Sequence, residues 1–213
     1  NTRRAAAVAG GKRVWPPSTR GGDHCPQPAA YRDTKVRRHD GAVEPLPHNQ
    51  MRFMHSDREL TRYHFDPADR RPFLFPITGP SGLSLTRMGH PHDPVSHSHH
   101  NSVWISHFDA GGVDFWSDKK DGGQIVHQRV VGDGLVEGDS VASILVQNAW
   151  KTADGKVLLQ ELRKITFVAG SDNQWSVDIA IELTPAGAPI SLGKTPFGLI
   201  GVRMAKPIGV KDG

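Results

Sequence analysis

The stretch from residue 175 to 184 limits the possible folds of this chain more than any other. Trp175, Val177, Ile179, Ile181 and Leu183 alternate strictly with Ser176, Asp178, Ala180, Glu182 and Thr184. A period of two gives one packed face and one wet face, which is the signature of a strand. Three further apolar runs precede it at near-regular spacing, over residues 125–131, 141–150 and 157–168. Turns separate them at Gly132-Asp133-Gly134, Asp154-Gly155 and Gly170-Ser171-Asp172-Asn173. Asp-Gly between two apolar runs is a strong hairpin signal, because a tight turn needs positive φ. The last three runs read as a meander.

The middle of the chain carries the same texture less cleanly. Residues 60–65 and 73–77 are short apolar or aromatic runs, and Gly79-Pro80-Ser81-Gly82 suits a hairpin between 73–77 and 83–88. Residues 101–108 form another strand candidate, after which Ala110, Gly111 and Gly112 turn the chain into 113–116. Residues 199–204 supply a last strand. No stretch combines helical periodicity with caps. Many strands joined by short Gly/Asp turns predict an all-β fold, an antiparallel β-sandwich.

Charge divides the chain. Residues 1–60 hold 11 Lys/Arg against 6 Asp/Glu, whereas residues 61–213 hold 15 against 16. The basic pI of about 9.4 therefore belongs to the first 60 residues. There Pro16, Pro17, Pro26, Pro28, Pro45 and Pro47 are mixed with charges and few aliphatics. Such a segment buries too little apolar area to offset its ordering entropy. Residues 1–50 are thus expected to be poorly structured, and the domains are drawn as a disordered or atypical basic segment over 1–55 and a β-sandwich over 56–213. The arginines of the first segment are scattered among glycine, proline and alanine, with no aromatic-studded basic face, so no nucleic-acid partner is expected. Cys25 is the only cysteine, which leaves no intramolecular disulfide and no thiolate cluster for zinc. No apolar run approaches the ~20 residues of a membrane span. Ala5 to Ala9 is too short for the apolar core of a signal peptide. The chain starts without Met and stops at Gly213 in a strand-like context, so a fragment at both ends is expected, with the β-sandwich truncated at its C-terminus. A soluble protein is expected, with the periplasm or an exported location and the cytoplasm both open.

The candidate chemistry is concentrated. Of the 12 histidines, six fall at His90, His92, His97, His99, His100 and His107. Three readings compete. In one, the histidines hold a divalent transition metal. An extended His-x-His places alternate side chains on one face with Cα atoms ~6.6 Å apart, so His97 and His99, or His90 and His92, could converge on an ion, with Asp93 or Asp114 as carboxylate ligand. In the second, the same groups bind a polar organic ligand such as a sugar. His92, His99, His100 and Asp114 are then the catalytic candidates, since imidazoles exchange protons near neutral pH. Arg87, His90, Asp93, Trp104, His107, Trp116 and His127 would contact the ligand, the tryptophans as stacking faces. In the third, the histidines only tie down an irregular loop. A cupin would need a Glu three or four residues after His99, where Ser102 and Val103 stand. Asp114 lies in an apolar context and needs a partner if buried, with Arg87 the nearest cationic candidate in sequence.

Several of these residues also carry a family resemblance. Arg71-Pro72-Phe73, Gly79-Pro80, Leu85-Thr86-Arg87, Gly89-His90-Pro91-His92-Asp93, His97-Ser98-His99-His100 and Gly112-Val113-Asp114-Phe115-Trp116 resemble the bacterial family labelled methane oxygenase PmoA. Lys194-Thr195-Pro196-Phe197-Gly198-Leu199 and Val202-Arg203-Met204-Ala205 are similar to it as well, so the resemblance covers residues 59–213. It implies proteins found near sugar-catabolic enzymes and a relation to the mutarotase-like β-supersandwich group, of which this chain would be an incomplete copy. The expected function is a carbohydrate-active protein, isomerase-, lyase- or hydrolase-like. A metal-dependent oxygenase or hydrolase and a non-catalytic sugar-binding module are the alternatives.

Overall fold

The computed structural model describes residues 40–209 apart from 94, 133 and 172. It is an all-β sandwich of two antiparallel sheets. In chain order the strands are β1 (Gly41–Leu46), β2 (Gln50–His55), β3 (Arg58–His64), β4 (Phe73–Leu74), β5 (Val103–Ile105), β6 (Gln124–Val130), β7 (Val136–Glu137), β8 (Val141–Lys151), β9 (Val157–Ala169), β10 (Trp175–Pro185) and β11 (Ile200–Val202). The first sheet runs β1-β2-β3-β4-β5-β11, and the second runs β10-β9-β8-β6 with β7 also on β8.

The meander β8-β9-β10 is the one the alternation predicts, and in its register Ile179 lies opposite Ile165 and Ile165 opposite Ile144. Three expectations change. Residues 1–39 lie outside the described residues, but 41–55 are paired strands of the first sheet, so the domain boundary drawn at 55 falls too late. Proline misled there: Pro45 lies on β1, an edge strand, where a missing backbone donor is tolerated. Residues 73–77 and 83–88 do not form a regular hairpin. Only Phe73–Leu74 is strand, and a single bridge joins Thr78 to Ser84. Likewise residues 113–116 contribute one bridge, Ala110 to Val113, rather than a strand.

The main core lies between the sheets. Val43, Phe53, Leu60, Tyr63 and Leu74 of the first sheet meet Ala142, Ile144, Val146, Ile165 and Phe167 of the second. Burial of these side chains contributes ~1.5–3 kcal/mol for each large apolar group. A polar network is sealed into the same interface. Glu161 accepts from Asn148 Nδ2 (2.9 Å), Trp150 Nε1 (2.6 Å) and Arg163 Nε (2.5 Å), and the Tyr63 hydroxyl donates across the sheets to Asn148 (3.2 Å).

Strand alternation sets the position of the site. Leu74 and Val103 face the second sheet, whereas Phe73 and Trp104, each one residue away, belong to a separate cluster with Trp116. Gly201 pairs with Trp104 across β11 and β5, and a Cβ at Gly201 would overlap the indole ring. The glycine is what lets that ring lie flat on the sheet.

Candidate functional site

Trp104 is the floor on which the histidine-rich segment is built. The His100 ring stacks on it at 6.0 Å, His99 meets it edge-on at 6.4 Å, and Trp116 packs beside it at 5.2 Å. Around these, His90, His97, His99 and His100 form one cluster, with ring centroids 4.8 Å apart for His90–His97 and 4.7 Å for both His97–His100 and His99–His100. Arg87, Arg203 and Phe197 complete the lining of a cleft of about 450 Å³. The Phe197 ring stacks on Trp116 at 5.3 Å; Trp116 is buried, and Phe197 is the exposed aromatic of the pair. The volume is in the range of small-ligand sites.

Short backbone bridges bring these groups together. Thr86 pairs with Met204 and Met88 with Asn101, and the Arg87 N–H donates to the Arg203 carbonyl at 3.0 Å. Two arginines distant in sequence therefore stand side by side. From beneath, Arg71 braces the loops. Its side chain is fully buried and donates to Asn101 (2.8 Å), Asp118 (2.8 Å) and the carbonyls of Phe115 (3.3 Å) and Ser117 (3.2 Å). A rigid five-donor fork suits this role, because it can satisfy several acceptors at once.

The electrostatics disfavour a proton on two of the imidazoles, His99 and His100. Burial pushes the His100 ring down to about 3, with Arg203 and the neighbouring histidines adding to the effect. Burial also lowers His99, against a smaller opposing pull from Asp118. The Arg203 guanidinium is lowered by its own burial and by Arg87. Asp93 sits at the rim, held down to about 2 chiefly by hydrogen bonds from Ser96, and it also pairs with His97 Nδ1 at 3.0 Å. Three buried polar atoms at the site, His100 Nδ1, Trp104 Nε1 and Arg203 Nε, have no hydrogen-bond partner among the described residues. Such atoms are uncommon in folded proteins and call for an explanation.

Of the residues singled out in sequence, Arg87, His90, His97, His99, His100 and Trp116 line the cleft, Trp104 underlies it, and Asp93 marks its rim. His92 is exposed beside His90. The others stand elsewhere. His107 is buried with its Nδ1 accepting from the Asp109 N–H, and His127 packs against Phe65 and Tyr63. Asp114 does not meet Arg87. It accepts from the backbone of Trp116 (2.8 Å) and Ser117 (3.0 Å) and from the Ser117 hydroxyl, closing a turn, as aspartate often does near its own backbone. Arg87 donates to the Gly89 carbonyl instead. The extended His-x-His geometry also fails. Residues 95–99 are turn, with His100 N–H donating to the His97 carbonyl, so alternation does not apply. Among the described residues no group of three or more His, Cys, Asp or Glu is arranged to hold a metal ion.

Sequence reasoning missed Phe197, Arg203 and the brace Arg71. All three lie in the motifs that carried the family resemblance, which was the available signal. Residues 50–213 match a family of unknown function, DUF6807. The chain belongs to this family. The resemblance to methane oxygenase PmoA is thereby corrected, because the family found over that region is one of unknown function. The sugar-catabolic setting which that resemblance implied falls with it, leaving the cleft to be read from its own geometry. No curated protein matches the chain, and no solved structure does. No helix among the described residues is long and apolar enough to cross a membrane.

Proposed function

We propose that the cleft binds, and acts on, a sugar or sugar derivative. The observation that carries this reading is one cleft lined by an exposed aromatic ring, Phe197 backed by buried Trp116, together with four imidazoles and two guanidinium groups. Sugar rings have apolar C–H faces that stack on aromatics and hydroxyl edges that need donors and acceptors. A neutral imidazole offers one of each. His99 is the acid/base candidate. It lines the cleft and is only half-buried, and its lowered pKa leaves it unprotonated at neutral pH, ready to take a proton from a hydroxyl or an activated carbon. His100 lies deeper and serves to orient the ligand.

The test is calorimetric titration with a panel of aldoses, ketoses, sugar acids and methyl glycosides, with product detection by NMR. Saturable binding by the wild-type protein is expected, weakened at least about tenfold in Phe197→Ala, as for a central aromatic contact. Turnover abolished in His99→Ala assigns an enzyme. Binding without product assigns a sugar-binding module. Absence of binding across the whole panel overturns the reading.

A further inference from the structure

The cleft has more positive charge than its own residues use. Arg87 and Arg203 are joined through backbone hydrogen bonding, and both side chains line the cleft. Among the described residues neither makes an ion pair. Arg87 donates to the Gly89 carbonyl and Arg203 to the Val202 carbonyl. Four other arginines find carboxylates, Arg52 with Glu44, Arg62 with Glu59, Arg71 with Asp118 and Arg163 with Glu161, whereas Arg58, Arg70 and Arg129 donate to carbonyl or amide oxygens. Two like charges held together in a partly buried site are unfavourable unless something negative joins them. The nearby acids do not serve. Asp118 is committed to Arg71, and Asp93 to Ser96 and His97. Arg203 also stacks over the Trp104 ring at 5.3 Å, which fixes its plane, and its Nε is the buried atom without a partner.

We infer that the ligand is anionic, a sugar carrying a carboxylate that bridges Arg87 and Arg203 while its ring lies against Phe197. Planar guanidinium groups match a planar carboxylate through paired N–H donors. A dianionic phosphate is disfavoured by the setting. No helix N-terminus lies at the cleft among the described residues, the one helical element being the three-residue turn Lys206–Ile208, and Asp93 at the rim repels a second negative charge. The imidazoles then face the ring hydroxyls. The inference rests on the sugar reading for the ring alone, since the charge argument needs only the arginines.

The experiment titrates the wild-type protein with matched pairs, galacturonate against galactose and glucuronate against glucose. Glucose 6-phosphate and acetate complete the set. Arg87→Gln, Arg203→Gln and Arg203→Lys are titrated alongside, with denaturation midpoints to check folding. The expected result is that at least one uronate binds ten-fold or more tighter than its neutral partner. That preference should be lost in folded Arg87→Gln or Arg203→Gln and only partly restored by Arg203→Lys, which keeps charge but not the fork. Equal affinity for neutral and acidic sugars, unchanged in the arginine variants, overturns the anion clamp and leaves the sugar reading standing. Acetate binding that depends on the arginines, with no gain from any sugar ring, upholds the clamp but overturns the sugar. Tighter binding of glucose 6-phosphate than of either uronate overturns the carboxylate assignment.

Discussion

Two buried polar regions of this molecule are built in opposite ways. Between the sheets, Glu161 and Arg163 are wholly enclosed, and Glu161 accepts from Asn148, Trp150 and Arg163. Arg163 Nη2 is the one buried atom of that network without a partner. At the other region, around Trp104, Arg87 and Arg203 lack carboxylates among the described residues, and His100, Trp104 and Arg203 each keep an unpaired buried atom. Apart from Arg163 Nη2, the first region completes its hydrogen bonds internally, as a structural network must in low dielectric. The second leaves them open, which costs stability unless a ligand supplies what is missing. Burial alone thus does not separate structural from functional polar groups. The state of their hydrogen bonds does.

The comparison breaks most visibly at Glu161. Glu161→Gln removes the charge opposite buried Arg163, and loss of one partner of a buried pair typically costs ~3–5 kcal/mol. Urea unfolding is expected to show a loss of that order while affinity for any cleft ligand stays unchanged in the folded fraction. A neutral result would mean that the interior pair is not the stabilising element described above. Gly201→Ala probes the other region. A methyl group there must displace the Trp104 ring, at an expected cost of ~1–3 kcal/mol, as for other overpacked sites. Here both the unfolding midpoint and ligand affinity should fall together, and a variant as stable as the wild type would show that the ring can move freely.

The smallest effect is a pH dependence. His100 is lowered from its ordinary 6.5 to about 3 by burial, so the folded state resists a proton that the unfolded state accepts. Its contribution is favourable above the unfolded value and is lost as pH falls from 6.5 toward 3. Stability measured across that window should therefore fall less steeply in His100→Asn, by at most ~1.4 kcal/mol per pH unit, the limit for one proton. An identical slope would mean that this ring is already reached by protons in the native state.

The fold was legible where periodicity is long. Residues 141–184 alternate over whole strands, and their register in the second sheet follows from which side chains must be inside. That alternation also puts Glu161 and Arg163 on the inward face with Leu159 and Ile165, so the buried charges were visible in principle. The first sheet was less legible because its strands β4, β5 and β11 have only two or three residues. No period can be counted over so short a run. In the site, local density picked out the histidines, but it gave no sign that His107 and His127 lie apart from the cleft.

By itself, then, the sequence determined the β-sandwich class, the meander of its second sheet and the segment that holds the histidine cluster. These follow from local quantities: alternation, turn residues and composition. Only the tertiary structure decided which histidines share a cleft, that Asp114 closes a turn, and that Arg71 braces the loops. It alone brought Arg203 and Phe197, about a hundred residues later in the chain, against Arg87 and Trp116. The physical reason is that a site of this kind is assembled by strand pairing between distant segments. That pairing is set by the packing of the whole sandwich and leaves no periodic trace in the residues it joins.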